Sequence, residues 1–78
     1  MRPVLRHMTR KGPVFIAVSD EGHFHIVWKD EDLGSYKTPA MAIDDACSAR
    51  HLTPADGTDL SGLAISADPC DWEIVSGR

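Results

Sequence analysis

The sequence predicts an α+β fold, ββ(β)αβ, in which a small antiparallel β-sheet is packed on one face by a single α-helix. Three observations support this class. Two strand-like segments flank a tight turn at 19–22, a short strand leads directly into a helix start at 38–39, and a final alternating segment lies at 72–75. A chain of 78 residues has room for one hydrophobic core, so we expect a single folded unit.

The first twelve residues do not show the pattern of a helix or a strand. Residues 1–12 show no clear hydrophobic period, and Gly12-Pro13 punctuates their end. We therefore expect a flexible basic N-terminal arm over 1–12, with a short strand or turn within it as the alternative, and a single α+β domain over 13–78.

Two strands joined by a turn follow the arm. Residues 14–18 are apolar and rich in β-branched side chains, which favours a strand. The segment 19–22 predicts a tight turn, because Gly22 readily adopts the positive φ that closes a hairpin. Residues 23–29 alternate, so that one face carries Phe24, Ile26 and Trp28 and the other carries His23, His25, Val27 and Lys29.

A short edge strand and the helix come next. Asp30-Glu31-Asp32 predicts the turn into a strand at 33–36. Thr38 suits the N-cap of a helix, and Pro39 suits its first position, where the missing N–H costs nothing. We expect the helix to end near Arg50, and its inner face to carry Ala40, Ile43, Ala46 and Cys47.

The rest of the chain predicts a loop and one more strand. Pro54 and Gly57 indicate a loop over 52–58, after which apolar side chains at 60, 63 and 65 anchor an irregular segment on the core. A final strand is expected at 72–75. The predicted core consists of Phe24, Ile26, Trp28, Ile43 and Ile74.

The formal net charge of −4 is unevenly distributed. Residues 1–11 carry four basic side chains and no acid, whereas residues 12–78 carry all twelve acids and four basic side chains, a net charge of −8. An acidic surface repels phosphate backbones and suits partners with basic surfaces. A solvated surface that keeps a small protein soluble is the plainer interpretation.

The sequence favours a cytoplasmic protein with reduced cysteines. Residues 1–7 lack the apolar region of a secretion signal, and no apolar run approaches the roughly 18 residues that a membrane helix needs. We therefore expect Cys47 and Cys70 to be unbridged, and we expect no membrane partner.

Metal binding and catalysis are poorly supported. The pairs His23/His25 and Cys47/His51 have spacings found among zinc ligands, but the alternation places the first pair opposite the helix. The segment 56–59 lacks the spaced oxygen ligands of a calcium loop, so an Asx-type turn is expected there. No nucleophile elbow, phosphate loop or dinucleotide fingerprint is present, which favours a non-enzymatic protein without a cofactor.

Residues 23–50 resemble the three-stranded DNA-binding domain of plant ethylene-response factors. In both, a sheet is followed by a leucine-glycine-aromatic segment, here Leu33-Gly34-Ser35-Tyr36, then a threonine and an alanine-rich helix. That family reads DNA with arginines and tryptophans that project from the sheet. The corresponding positions here carry almost no fixed positive charge, so the resemblance implies the shape but disfavours nucleic acid as a partner.

A longer segment, most of residues 22–75, resembles small bacterial proteins of unknown function. The shared pattern is LGSYxTPxxAxDD, DGTDxSxLxI and DWExV, and this chain contains LGSYKTPAMAIDDA, DGTDLSGLAI and DWEIV. The resemblance implies a self-contained bacterial module and no particular activity.

The leading functional hypothesis is a small protein–protein interaction module, with a homodimer through an edge strand or the uncovered sheet face as one of its forms. The alternative is an acidic inhibitor of the phage or mobile-element type, which imitates nucleic acid and blocks a larger nucleic-acid-binding complex. Salt separates these two, because imitation of phosphates weakens steeply as ionic strength rises. A weak DNA-binding protein is the third hypothesis.

The predicted binding surface is the sheet face that the helix leaves uncovered. Its centre is expected at His23, His25 and Val27, and its acidic rim at Asp30, Glu31 and Asp32. A mildly apolar centre with a charged rim is typical of small interfaces and suits a protein partner with a basic surface. Antiparallel sheets also often leave one face in water, and that is the plainer interpretation.

Overall fold

A computed structural model describes residues 1–48, 52 and 54–75 of the chain. This part contains five strands, one α-helix and two short 3₁₀ helices. The elements in chain order are β1 (Arg2–Thr9), β2 (Gly12–Val18), β3 (Phe24–Trp28), β4 (Glu31–Tyr36), α1 (Pro39–Ser48), the 3₁₀ helices Leu60–Leu63 and Pro69–Asp71, and β5 (Glu73–Ile74).

The strands form one antiparallel sheet in the order β4-β3-β2-β1-β5, and α1 packs on one face of it. The predicted α+β class is therefore confirmed. Sequential strands are joined by short hairpin turns, and only the last crosses the sheet to pair with β1. Because α1 and the 3₁₀ segments cover a single face, we call the opposite surface the outer face.

The prediction of a flexible arm over 1–12 is wrong. Arg2–Thr9 is strand β1, which pairs with β2 on one side and with β5 on the other. A register shift between Pro3 and Leu5 inserts Val4 as an extra residue and reverses the alternation of side chains along the strand. This bulge hides the period of two, so the segment reads as irregular in the sequence.

The turn between β3 and β4 lies one residue earlier than predicted. Lys29 and Asp30 form a two-residue turn in which both residues have positive φ, 48° and 67°, while Trp28 pairs with Glu31. Glu31 and Asp32 therefore belong to β4 rather than to the turn. Positive φ at both central residues matches the right-handed twist of the strands, which explains why a two-residue connection is used here.

The start of α1 agrees with its predicted cap. The Thr38 hydroxyl oxygen accepts a hydrogen bond from the Met41 N–H at 3.1 Å, and Pro39 opens the helix. The buried face of the helix consists of Ala42, Ile43 and Ala46, whereas Ala40 is exposed and Cys47 is only half-buried. The predicted end at Arg50 lies outside the described residues.

The core lies between the sheet and α1, with the 3₁₀ segments closing one side. Of the predicted core residues, Ile26, Trp28 and Ile43 are buried and Phe24 is half-buried against them. Ile74 is 81% exposed, so that prediction is wrong. The 3₁₀ helix Pro69–Asp71 ends just before Trp72, so Trp72 and Ile74 do not alternate as two residues of one long strand. Trp72 packs in the core, whereas Ile74 lies on the edge strand β5.

The described part of the chain contains no helix long and apolar enough to cross a membrane. Cys47 and Cys70 are both free thiols, the first half-buried and the second exposed.

Candidate functional site

The register of the strands assigns the side chains of the outer face. Phe15 and Ala17 alternate with the core residues of β2, and their cross-strand partners share their face. The outer face so defined carries Pro3, Arg6 and Met8 of β1, Phe15 and Ala17 of β2, His25 and Val27 of β3, and Asp32 and Ser35 of β4.

The centre of the outer face is apolar. Phe15 and Val27 are neighbours on β2 and β3 and are half-buried, and Ala17 beside them is only 4% exposed. An open groove of about 360 Å³ runs over this centre, lined by Met1, Pro3, Phe15, Ala17, Val27 and Asp30. Apolar side chains thus form a continuous strip on a face that no described element covers.

A polar side-chain contact flanks the apolar strip on each side. On the β5 side, the Arg6 guanidinium forms an ion pair with the Glu73 carboxylate. On the β4 side, His25 Nδ1 lies 2.9 Å from Asp32 Oδ2. That contact lacks hydrogen-bond alignment, so its strength depends on the charge of the imidazole ring.

The structure brings together four of the six residues predicted for the site. His25, Val27 and Asp32 lie on the outer face, and Asp30 lines its groove from the turn. His23 is exposed but precedes β3, where its backbone N–H donates to the Ser19 hydroxyl at 3.2 Å. It therefore belongs to the β2–β3 turn at the end of the sheet rather than to the centre of the surface.

Glu31 departs most from its predicted role. Its cross-strand partner is the core residue Trp28, which places Glu31 on the helix side of the sheet. Its Oε1 accepts a hydrogen bond from the Ala55 N–H at 2.8 Å. Glu31 therefore ties a loop to the hairpin instead of forming the rim of the outer face.

Asp56 fixes the same loop, and this role accounts for the acidic, glycine-containing segment 56–59. Asp56 accepts hydrogen bonds from the Thr58 N–H at 2.9 Å and from the Trp28 indole N–H at 3.1 Å, so the predicted Asx-type turn is confirmed. These bonds, the first above all, and the Lys29 ammonium 3.7 Å away lower the pKa of Asp56 from 3.8 to about 2. The carboxylate is thereby committed to holding the loop.

A second carboxylate ties the helix to the edge strand. The Tyr36 hydroxyl of β4 donates a hydrogen bond to Asp45 of α1 at 2.6 Å. Burial of the phenol and, after it, this bond to a carboxylate raise the pKa of Tyr36 above its ordinary value of 10.0. The pair is structural, because it joins two elements of the same core.

No group of three histidine, cysteine or acidic side chains within the described residues is placed to hold a metal ion. Cys47 is a half-buried residue of α1, and His51, its partner in the candidate metal pair, lies outside the described residues. His25 faces Asp32 across the outer face, whereas His23 lies in the turn.

The part of the surface that β1 contributes was not predicted from the sequence. Pro3, Arg6 and Met8 join the outer face only because β1 pairs beside β2. The local signal was weak: Leu5 and His7 alternate with Arg6 and Met8 over four residues, a pattern that the bulge then interrupts.

No protein-family model matches the chain, and no curated protein or solved structure matches it either. The resemblances to ethylene-response factors and to small bacterial proteins therefore remain predictions from the sequence.

Proposed function

We propose that this chain is a non-enzymatic protein-interaction module that binds its partner through the outer face. The observation that carries the proposal is the apolar strip of Phe15, Ala17 and Val27, which no described element covers, between the Arg6–Glu73 ion pair and the His25–Asp32 contact. A strip of this kind gains free energy when a partner removes it from water, at roughly 25 cal/mol per Å² of apolar surface.

The layout follows the usual organisation of an interface. A half-buried aromatic ring, Phe15, occupies the centre and can be desolvated without a large loss of conformational entropy. Charged side chains at the margin remain in contact with water and select the partner by complementarity rather than by bulk affinity. On the β4 side these margin groups are Asp30 and Asp32, which favour basic groups on the partner.

The acidic-inhibitor alternative has less support. The basic segment 1–11 is part of the sheet, so the chain does not divide into a separate basic arm and a uniformly acidic body. Several acids are also engaged in local structure: Asp59 and Asp68 cap the two 3₁₀ helices, and Asp56 joins its own loop to Trp28 of β3. Carboxylates that are fixed by capping bonds are poorly placed to imitate a regular row of phosphates.

The test is affinity capture from the native host with a matched pair of variants. Val27→Asp places a carboxylate in the apolar strip. Met41→Asp likewise replaces an apolar side chain by a carboxylate, but on α1, where Met41 is 53% exposed. We expect proteins that co-purify with the unmodified chain to be lost with Val27→Asp and retained with Met41→Asp. Circular dichroism of both variants checks that the fold is intact.

Ionic strength provides the second arm of this experiment. Binding through an apolar strip should persist between about 0.1 and 0.5 M salt, because screening acts on the charged margin alone. Loss of the same proteins with Met41→Asp, or their retention with Val27→Asp, would contradict the proposal. A steep loss with salt that is indifferent to Val27→Asp would favour the acidic inhibitor.

A further inference from the structure

We propose that the occupant of the outer face is a second copy of this chain, related by a two-fold axis that runs along the strands between β2 and β3. This inference rests on the proposed function, because it names the partner of the same surface. It is carried by the order of charged and apolar side chains across the sheet.

Across β1 to β4, one row of the outer face reads cation, apolar, apolar, anion, and beyond the cation Glu73 of β5 already pairs with Arg6. Arg6 pairs with Phe15, Phe15 with Val27, and Val27 with Asp32, so the four residues lie side by side on β1, β2, β3 and β4. Neighbouring strands are about 4.8 Å apart, which separates the backbone of Arg6 from that of Asp32 by roughly 14 Å.

A two-fold axis between Phe15 and Val27 makes this row complementary to itself. When two outer faces meet about that axis, Phe15 of each copy lies over Val27 of the other. The same operation brings Arg6 of each copy over Asp32 of the other, so two opposite-charge contacts form. Asp32, which contacts His25 and accepts a hydrogen bond from the Gly34 N–H in its own copy, thereby gains the Arg6 guanidinium of the second copy.

The neighbouring positions are compatible with the same axis. In the next row, Pro3 falls opposite Ser35 and Ala17 opposite His25, with no like charges facing each other. At one end of the sheet the β1–β2 turn, which carries Lys11, comes opposite the β3–β4 turn, which carries Asp30.

One unfavourable approach occurs at the opposite end. The β2–β3 turn lies on the axis, so Asp20 and Glu21 of the two copies approach each other there. Both side chains are exposed, and at physiological salt the Debye length of about 8 Å screens their repulsion. This approach weakens the dimer but does not oppose the contacts at its centre.

Other arrangements of two copies fit less well. An axis perpendicular to the strands would place Arg6 over Arg6 and Asp32 over Asp32, which opposes like charges at both margins of the contact. Pairing of two β4 edges would add strands to the sheet, but β4 is irregular between its pairings with Ile26 and Val27, and it carries Glu31 and Asp32. Irregular, charged edges resist such pairing.

The area available sets the expected strength. Four to five strands about 4.8 Å apart and up to seven or eight residues long give an outer face on the order of 500 Å². Two such faces bury on the order of 1,000 Å², the lower limit for a specific interface. The dimer should therefore be weak and concentration-dependent, with a dissociation constant on the order of 10 to 100 μM.

The test is sedimentation equilibrium of the chain from about 1 μM to 1 mM, with charge-swap variants. Arg6→Glu and Asp32→Lys each replace both opposite-charge contacts with like-charge contacts, so each should weaken dimerisation by about tenfold or more. The double variant Arg6→Glu/Asp32→Lys restores both contacts and should dimerise within about threefold of the unmodified chain. An equimolar mixture of the two single variants also restores both contacts and should form a heterodimer.

The control is Asp44→Lys, which reverses an exposed charge on α1 and should leave the dissociation constant unchanged. Because Arg6→Glu also places a carboxylate beside Glu73 of the same copy, circular dichroism of each variant checks the fold, and rescue by the double variant then identifies a broken contact between copies. A chain that stays monomeric at 1 mM, or a dimer in which the double variant is weaker than either single variant, would overturn the second-copy inference. Neither result would contradict the proposed function, because the capture experiment tests whether a different protein binds through Val27.

Discussion

Replacing Asp30 with glycine should stabilise the protein, because the β3–β4 turn holds two side-chain-bearing residues in left-handed backbone conformations. Lys29 has φ 48° and Asp30 has φ 67°. An L-residue other than glycine pays about 1 to 2 kcal/mol for this region. Glycine avoids that cost but loses about 0.5 to 1 kcal/mol of conformational entropy on folding. The difference spans about 0 to 1.5 kcal/mol, and the expected gain from Asp30→Gly is its central part, about 0.5 to 1 kcal/mol.

Thermal unfolding followed by circular dichroism measures this gain. For a domain of this size, 1 kcal/mol corresponds to about 4 to 8 °C in Tm, so a rise of about 2 to 8 °C is expected. The matched control is Asp20→Gly in the β2–β3 turn, whose φ is not positive. There glycine relieves nothing and should lower the stability by up to about 1 kcal/mol. Equal changes in the two variants would refute the turn geometry on which the argument depends.

Three further predictions concern the core and its ties. Trp72→Ala should cost about 3 to 5 kcal/mol in urea unfolding, whereas Ile74→Ala should change the free energy by about 0.5 kcal/mol or less, and equal costs would contradict the assignment of β5. Tyr36→Phe should cost about 1 to 2 kcal/mol of unfolding free energy at neutral pH. Because the pKa of Tyr36 is raised in the folded state, the unmodified protein should lose stability above pH 10, and Tyr36→Phe should abolish that loss. The folded-state pKa of Asp56 is lowered from 3.8 to about 2, so its contribution is present above pH 4 and is lost as pH falls towards 2; Asp56→Asn should flatten that decline in acid titrations.

The elements with an uninterrupted period were predictable from the sequence. The alternation of β3 assigned Ile26 and Trp28 to the core and His25 and Val27 to the outer face, and Thr38 marked the start of α1. Each of these signals is local: it depends on side chains one to four residues apart and on one capping hydrogen bond.

The missed features depend on contacts between distant parts of the chain. The pairing of β1 with β2 survives a bulge at Val4 because the backbone bonds of β5 support it, including the Val75 N–H bond to the Val4 carbonyl at 2.9 Å. The burial of Trp72 depends on its indole bond to the Ser66 carbonyl and on its contact with His7. A single sequence reports periodicity but not these partners.

The candidate site was half-predictable for the same reason. Alternation within β3 was enough to find His25 and Val27. The assignment of Arg6 and its neighbours on β1 to the outer face depends on the strand order β3-β2-β1, which cannot be read from the sequence. The place of Arg6 in the row Arg6–Phe15–Val27–Asp32 therefore follows from the register of the sheet and not from the sequence.

The most direct measurement of the central claim is a dilution series of ¹H–¹⁵N NMR spectra from about 1 mM to 20 μM. If the outer face binds a second copy, the amide resonances that move with concentration should map to Phe15, Ala17, Val27 and Asp32, while those of the α1 residues Met41 and Asp44 stay in place. Concentration-dependent shifts confined to α1, or spectra that do not change across the series, would contradict the account.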